Sequence, residues 1–207
     1  MSATRLLDLV DDRAQVMRLT VDQYHQMIES GILAEGEPYE LLDGYVVRKD
    51  RSAAGEDPMT VGRHHAWAVT NLGKLGRKLA RLGCHLRAQQ PISAPPFNEP
   101  EPDGAIVAGG EDKYRERHPG ADEVLCAIEV ADSSLARDRL KQRIYATVGI
   151  RQYVILNLQD RLVEVFTQPL PNKGRYGQCV TLPPGRPVEF HASRSKKLSV
   201  PVKNLLP

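Results

Sequence analysis

The sequence predicts an α/β fold in which helix, three strands, helix and strand follow one another, and three observations predict it. The first is Val124–Leu156, "VLCAIEVADSSLARDRLKQRIYATVGIRQYVIL", which reads strand, turn, helix, turn, strand, the pattern of two sheet neighbours joined by a crossover helix. The second is "HAWAVTNLGKLGRKLARL", residues 65–82, where Ala68, Leu72, Leu75, Leu79 and Leu82 recur at three- and four-residue steps, the period of an amphipathic helix. The third is "LLDGYVV", an Asp-Gly pair between two apolar runs, which is a strong hairpin signal.

The remaining elements follow in order. Residues 1–19 lack a clear period and are expected as an arm, with residues 20–207 forming a single domain. "LTVDQYHQMIESG" opens on a cap residue, Thr20, and stops at Gly31, so a short helix is expected there. After the hairpin, "RSAAGEDPMTVGR" is a polar loop that leads into the 65–82 helix. "CHLRAQQPIS" and "PDGAIVAG" read as strands separated by the Pro-rich "APPFNEPEP". Beyond Leu156, "RLVEVFTQP" alternates as an edge strand able to pair with "QYVILNL" across "QD", and the tail reads as loop and short strand.

At 207 residues the chain is long enough for one sizeable core. No apolar run approaches the length of a membrane span, and "MSATRLLDLVDDR" has acids too early for a signal peptide. Cys84, Cys126 and Cys179 are odd in number, far apart and without metal spacing, which argues for reduced thiols in a cytoplasmic setting. The net charge of +2 hides an asymmetry: residues 1–60 hold 6 basic and 12 acidic residues, whereas residues 61–95 hold 6 basic residues and no acid. Lys74, Arg77, Lys78 and Arg81 recur along one face of the predicted helix, a stripe that could contact a nucleic-acid backbone or simply be solvated.

Two charges stand where a purely structural segment should carry none. Glu129 lies inside the apolar run "VLCAIEV". At about 100° per residue, Lys141 emerges between Tyr145 and Val148, with Ile144 just beyond, in the middle of the face that must pack on the sheet. A lysine there either snorkels past the helix or finds an anionic partner. Adjacent strands can set Asp103 beside Glu129, and the following helix can lay Lys141 over both. Two carboxylates so placed repel unless a cation sits between them. Hard oxygen ligands with open positions suit Mg²⁺, and the set as a whole suits metal-assisted phosphodiester hydrolysis.

These residues resemble a known family. "PD" at Pro102–Asp103 and "IEV" at Ile128–Val130 look like the acidic pair of the PD-(D/E)xK restriction-endonuclease-like superfamily. More closely, "YELLDG", "RHHA", "EPEPDGAIV", "HPGADEVLCAIEVADSSLARDRLKQRIY" and "VGIRQYVIL" resemble the Uma-two family over about Thr20 to Pro169. The resemblance implies an αβββαβ core with a mixed sheet, here extended by an N-terminal helix and a β-hairpin. It implies a divalent metal, Mg²⁺ with Mn²⁺ as a substitute, held by Asp103 and Glu129 with Glu40 as an additional acid. The superfamily's lysine, two residues after the second acid, is Ala131 here. The Uma-like pattern moves that lysine to the next helix, four residues before a tyrosine, as Lys141 and Tyr145 reproduce. His65 and Gln89 resemble the family's accessory His and Gln. The stretch before Lys141 is one residue shorter than the common spacing, which would turn Asp138 out of place.

The expected activity is hydrolysis of DNA phosphodiester bonds, with Lys141 orienting the attacking water and Lys74, Arg77, Lys78 and Arg81 on the DNA backbone. The alternative is a catalytically inactive DNA-binding or dimerisation module of the same fold. A homodimer is expected, since two sites related by a two-fold axis most simply cut both strands. Neither a membrane nor an organic cofactor is expected.

Overall fold

The structure is a computed structural model and describes residues 17–34, 36–49, 62–193 and 195–207. Residues 1–16 of the arm expected over residues 1–19, and most of the loop "RSAAGEDPMTVGR", lie outside the described residues.

Helix α1, Val21–Glu29, begins where the cap predicts. The Thr20 hydroxyl accepts the Gln23 N–H at 3.2 Å and the Gln23 side-chain oxygen accepts the Thr20 N–H at 2.9 Å, a reciprocal capping box that satisfies two otherwise orphaned donors. The chain leaves the helix through Gly31 at φ +74°. Strands β1, Tyr39–Leu42, and β2, Tyr45–Arg48, form the expected hairpin. Asp43 and Gly44 both take positive φ, 54° and 81°, as the tight primed turn demands. Gly44 has a second reason to be glycine, because a Cβ there would meet that of Arg18 at 2.6 Å. Val21, Tyr24 and Leu41 bury together and fasten α1 to the hairpin.

The single helix expected over residues 65–82 is two. Helix α2, Arg63–Gly73, and helix α3, Gly76–Ala80, are separated at Lys74–Leu75. Gly73 and Gly76 flank the break, and glycine weakens a helix interior by roughly 1 kcal/mol against alanine. The apolar stripe survives the break, with Ala68, Leu72, Leu75 and Leu79 all buried.

Six strands form the central sheet in the order β3 (Cys84–Ala88), β4 (Gly104–Ala108), β5 (Val124–Ala131), β6 (Gln152–Asn157), β7 (Leu162–Leu170) and β8 (Arg175–Leu182). Only the β5–β6 pair is parallel, because helix α4, Leu135–Thr147, carries the chain back between them. The sheet is therefore mixed. β7 pairs with β6 across the "QD" turn as expected, but it is interior, since β8 covers its other side. β8 carries no apolar alternation, and seven of its eight residues are not buried, so periodicity could not reveal it. A last hairpin, β9 (Pro187–His191) with β10 (Lys197–Pro201), forms a separate small sheet.

Both faces of the main sheet are covered. One face packs Ile106, Cys126, Ile128 and Val130 against Ala68, Leu72 and Leu79 and against Val188, Phe190 and Leu205 of the tail. The other packs Ala105, Val107, Ala127 and Tyr153 against Tyr145 and Ala146 of α4. All eight residues of β5 are buried, as a strand covered on both faces requires. Glu129 is one of them, and it shares its parity with Ala127 and Ala131 on the α4 face. No described helix is long and apolar enough to cross a membrane.

Candidate active site

The charges that looked misplaced meet. Lys141 is 4% exposed, and its ammonium donates to Glu40 Oε2 at 2.9 Å and to Glu129 Oε1 at 3.1 Å. Those partners stand 101 and 12 residues away along the chain. The fold brings each in separately: Glu40 from the hairpin, Glu129 from the central strand, Lys141 from the crossover helix. The buried face of α4 consists of Asp138, Lys141, Tyr145 and Ala146, so the lysine does lie in the middle of the packing side, and an anionic pair rather than snorkelling accounts for it.

The helix is fixed in that orientation by two tyrosines. The Tyr145 hydroxyl donates to Glu129 Oε1 at 2.9 Å. The Tyr153 hydroxyl of β6 donates to the Asp138 carbonyl at 2.7 Å, and the two rings pack 4.9 Å apart. Asp103 precedes β4, and its Oδ2 accepts the Val130 N–H at 2.8 Å and lies 3.1 Å from His65 Nε2. The Asp103 N–H in turn donates to Glu129 Oε2 at 3.4 Å. Gly104 leaves room for the close packing above it, since a Cβ there would stand 3.4 Å from Leu72 Cδ1.

The electrostatics sort these groups. Burial pushes the Glu129 carboxyl up to about 8, with Asp103 and Asp138 adding to the rise and Lys141 opposing it. Burial would also raise Asp103, but the hydrogen bond and charge of His65, then Lys49 and the Val130 N–H, outweigh it and bring that carboxyl down to about 2. Burial works against the charge on Lys141, yet Glu129 and Glu40 hold its ammonium above the ordinary lysine value. Burial likewise opposes a charge on His65, and Asp103 outweighs it to raise the imidazole. Tyr145 is held neutral by burial and by the adjacent Glu129.

Of the residues singled out from sequence, Asp103, Glu129, Glu40, Lys141, His65 and Tyr145 come together. Gln89 does not bring its side chain to them: it is exposed at φ +51°, and its backbone N–H donates to the Asp103 carbonyl at 3.2 Å. Lys74, Arg77, Lys78 and Arg81 are all exposed on α2, α3 and their junctions, and Lys74 donates to Asn71 Oδ1 at 2.6 Å. Asp138 is not turned away despite the short spacing. It is 4% exposed, accepts from the Ser134 hydroxyl and lies close enough to raise Glu129.

Two participants escaped the sequence. Lys49 donates to the Glu101 carbonyl at 2.6 Å and to Glu101 Oε1 at 3.2 Å, and the Glu101 N–H donates to Glu40 Oε2 at 3.2 Å. The only available signal was a lysine directly after the hairpin, which is indistinguishable from a solvated one. As a metal centre the donor set has the right chemistry, Glu40, Asp103 and Glu129 being three buried carboxylates with hard oxygens. Among the described residues, no three acidic, His or Cys side chains are already gathered at ligating distance of one another. The Lys141 ammonium stands between the Glu40 and Glu129 carboxylates, and the Asp103 N–H meets Glu129 Oε2.

Comparison with solved structures gives a match to a protein described as "a putative nuclease belonging to DUF820 from Anabaena variabilis". The TM-score is 0.66 at 15% identity, covering 90% of this chain and 97% of that one, which shows a shared fold. No curated protein matches the chain. The model of the Uma2 family, described as "Putative restriction endonuclease", matches residues 21–202, a span that holds every residue of the acid–lysine cluster, and the chain therefore belongs to the Uma2 family.

Proposed function

We propose that this protein is a divalent-metal-dependent nuclease that hydrolyses DNA phosphodiester bonds at the Glu40–Asp103–Glu129–Lys141 cluster. The observation that carries the reading is the convergence of Glu40 and Glu129 on one buried ammonium, 2.9 and 3.1 Å away, with Asp103 a single hydrogen bond further. Burying so many charges is costly, and it is better explained by a reaction than by stability. Membership of a family described as restriction endonucleases supports the same chemistry.

Asp103, Glu129 and Glu40 would hold Mg²⁺, with Mn²⁺ able to stand in. The metal supplies a Lewis acid for the charge that develops on the phosphate. The chain's own groups do the rest. Lys141, released from part of its carboxylate embrace, orients the attacking water and offsets the added negative charge. Tyr145 keeps Glu129 aimed, and His65 keeps Asp103 ionised. The exposed stripe Lys74, Arg77, Lys78 and Arg81 would take the DNA backbone, which makes binding salt-dependent. A homodimer would let two such sites serve opposite strands.

The test is nicking of supercoiled plasmid by the purified protein in Mg²⁺ or Mn²⁺. Activity is expected in the wild type, lost on chelation and in Asp103→Asn and Lys141→Ala. Undiminished cutting by both variants would show the site to be misassigned. If no form cuts but all retard DNA on a gel, the chain is a binding module instead.

A further inference from the structure

A second feature lies on the far side of Glu101. A cavity of about 360 Å³ is walled by α1, the chain entering β1 and the Pro91–Glu101 region, within the size range of small-molecule sites. Glu99 lines it and is 4% exposed. Its Oε1 lies 2.7 Å from His25 Nε2, but its buried Oε2 has no hydrogen-bond partner. A carboxylate oxygen left so is costly, and a ligand with N–H donors would relieve it.

The charge of the wall says which kind of ligand. Glu29, Glu37, Glu99 and Glu101 all line the cavity, and none of the described lining residues is Lys or Arg. Arg48 lies 3.7 Å from Glu37 and Lys49 lies 3.2 Å from Glu101, and Glu99 has the His25 imidazole on one oxygen only, which leaves Glu29 and the second oxygen of Glu99 to set the sign. His118 is a weakened source of compensating charge, because burial holds its imidazole below the ordinary value. Tyr24 registers the same field: burial, then Glu99, Glu101 and Glu40, push its phenol up to about 12. Tyr24 and Tyr39 give the wall aromatic surface, which favours a cation over an uncharged body. A phosphate-bearing ligand would be repelled.

We propose that this cavity binds a small organic cation carrying N–H donors, an alkyl-guanidinium or alkylammonium group, with Glu99 as its anionic anchor. The proposal goes beyond the nuclease reading and does not rest on it, since binding is measured without DNA or metal. Isothermal titration calorimetry of the full chain in chelator would use agmatine, N-acetylarginine amide and cytidine as probes. A guanidinium probe is expected to bind, with affinity reduced about tenfold or more in Glu99→Gln, as loss of a charged hydrogen bond implies, and reduced by added salt. Tighter binding of agmatine supports the proposal with a free aminoalkyl-guanidine as the source, and tighter binding of N-acetylarginine amide supports it with a partner's arginine. Binding of cytidine alone, silence from both cations, or unchanged affinity in Glu99→Gln would each overturn it. If Glu99→Gln does not fold, Glu29→Gln at the exposed end of α1 reads the same field. Its affinity for agmatine and the salt dependence should both fall, and unchanged values would also overturn the proposal.

Discussion

Replacing Lys141 with methionine keeps most of the unbranched apolar stem and removes the charged end. The structure says what this leaves behind: Glu40 and Glu129, 1% and 2% exposed, deprived of an ammonium that stood 2.9 and 3.1 Å away. Breaking one partner out of a buried ion pair costs about 3–5 kcal/mol. In a domain of this size that corresponds to a melting temperature lower by roughly 6–20 °C. The pH dependence is sharper than the magnitude. Glu129 has a folded value of about 8, above its ordinary 4.5, so its contribution to stability is complete below about pH 4.5 and is lost as the pH rises through 8. Lys141 pulls that value down, so without it the loss is deeper and extends to higher pH. Asp103 runs the opposite way, since its value of about 2 lies below 3.8 and its stabilisation is lost only as the pH falls towards 2. Urea unfolding in chelator at pH 5, 7 and 9 isolates the Glu129 effect. The gap between Lys141→Met and the wild type should be smallest at pH 5, where the lost Glu40 pair accounts for it, and should widen by pH 9, and adding Glu129→Gln should recover part of the widening. A variant within 1 kcal/mol of the wild type at pH 9, or a gap that narrows as the pH rises, would refute the pairing described above.

Other outcomes follow from the same geometry. Binding of Mn²⁺ by the Asp103–Glu129–Glu40 set should release about one proton near neutral pH, because Glu129 must give up the proton it holds below about 8. Titration in buffers of different ionisation enthalpy counts that proton, and a buffer-independent heat would remove Glu129 from the ligand set. Tyr145→Phe deletes the 2.9 Å hydrogen bond to Glu129 Oε1, so stability should drop by about 1 kcal/mol and the pH profile of nicking should move to higher pH. An unmoved profile would reduce the tyrosine to packing. Changing Lys74, Arg77, Lys78 and Arg81 together to alanine should lower the slope of log binding constant against log salt by about 0.9 for each duplex phosphate that is no longer neutralised. An unchanged slope would mark the stripe as a solvated face.

Much of this arrangement was legible because its signals are local. The cap residue Thr20 and the Asp-Gly turn each declare themselves within a dozen residues, and the strand–helix–strand run within one unbroken stretch from Val124 to Leu156; α1, the first hairpin and β5–α4–β6 lie where those signals place them. Lys141 was legible for a different reason: helical geometry put a charge on an apolar face, and only a partner could account for it. What stayed hidden depended on non-local context. The break between α2 and α3 requires weighing Gly73 and Gly76 against a continuous apolar stripe. β8 is exposed over most of its length, so its place is fixed by backbone pairing with β7 rather than by burial. Lys49 and Glu101 meet across 52 residues, and nothing in either neighbourhood announces the other. Asp138 was placed wrongly by counting residues, because α4 is oriented by the tyrosines that grip it and not by where its first turn begins.

The hairpin β1–β2 has a consequence for how the molecule is completed. It is not part of the main sheet, and it reaches the rest of the chain partly through the Leu41–Glu99 bridge, with backbone hydrogen bonds of 2.8 and 3.3 Å in the two directions. Two strands alone are only marginally stable in water, so the hairpin depends on its docking: Leu41 buries with Val21 and Tyr24 of α1, and the Gly44 and Asp43 N–H groups donate to the Phe97 carbonyl and Asn98 Oδ1, each at 2.7 Å. Glu40 rides on it as the neighbour of that leucine. Were the hairpin to undock, Lys141 would lose one of its two carboxylates, while the six-stranded body would keep its own packing. Completing the acid–lysine cluster is therefore coupled to the docking of this hairpin, to which the burial of Leu41 contributes.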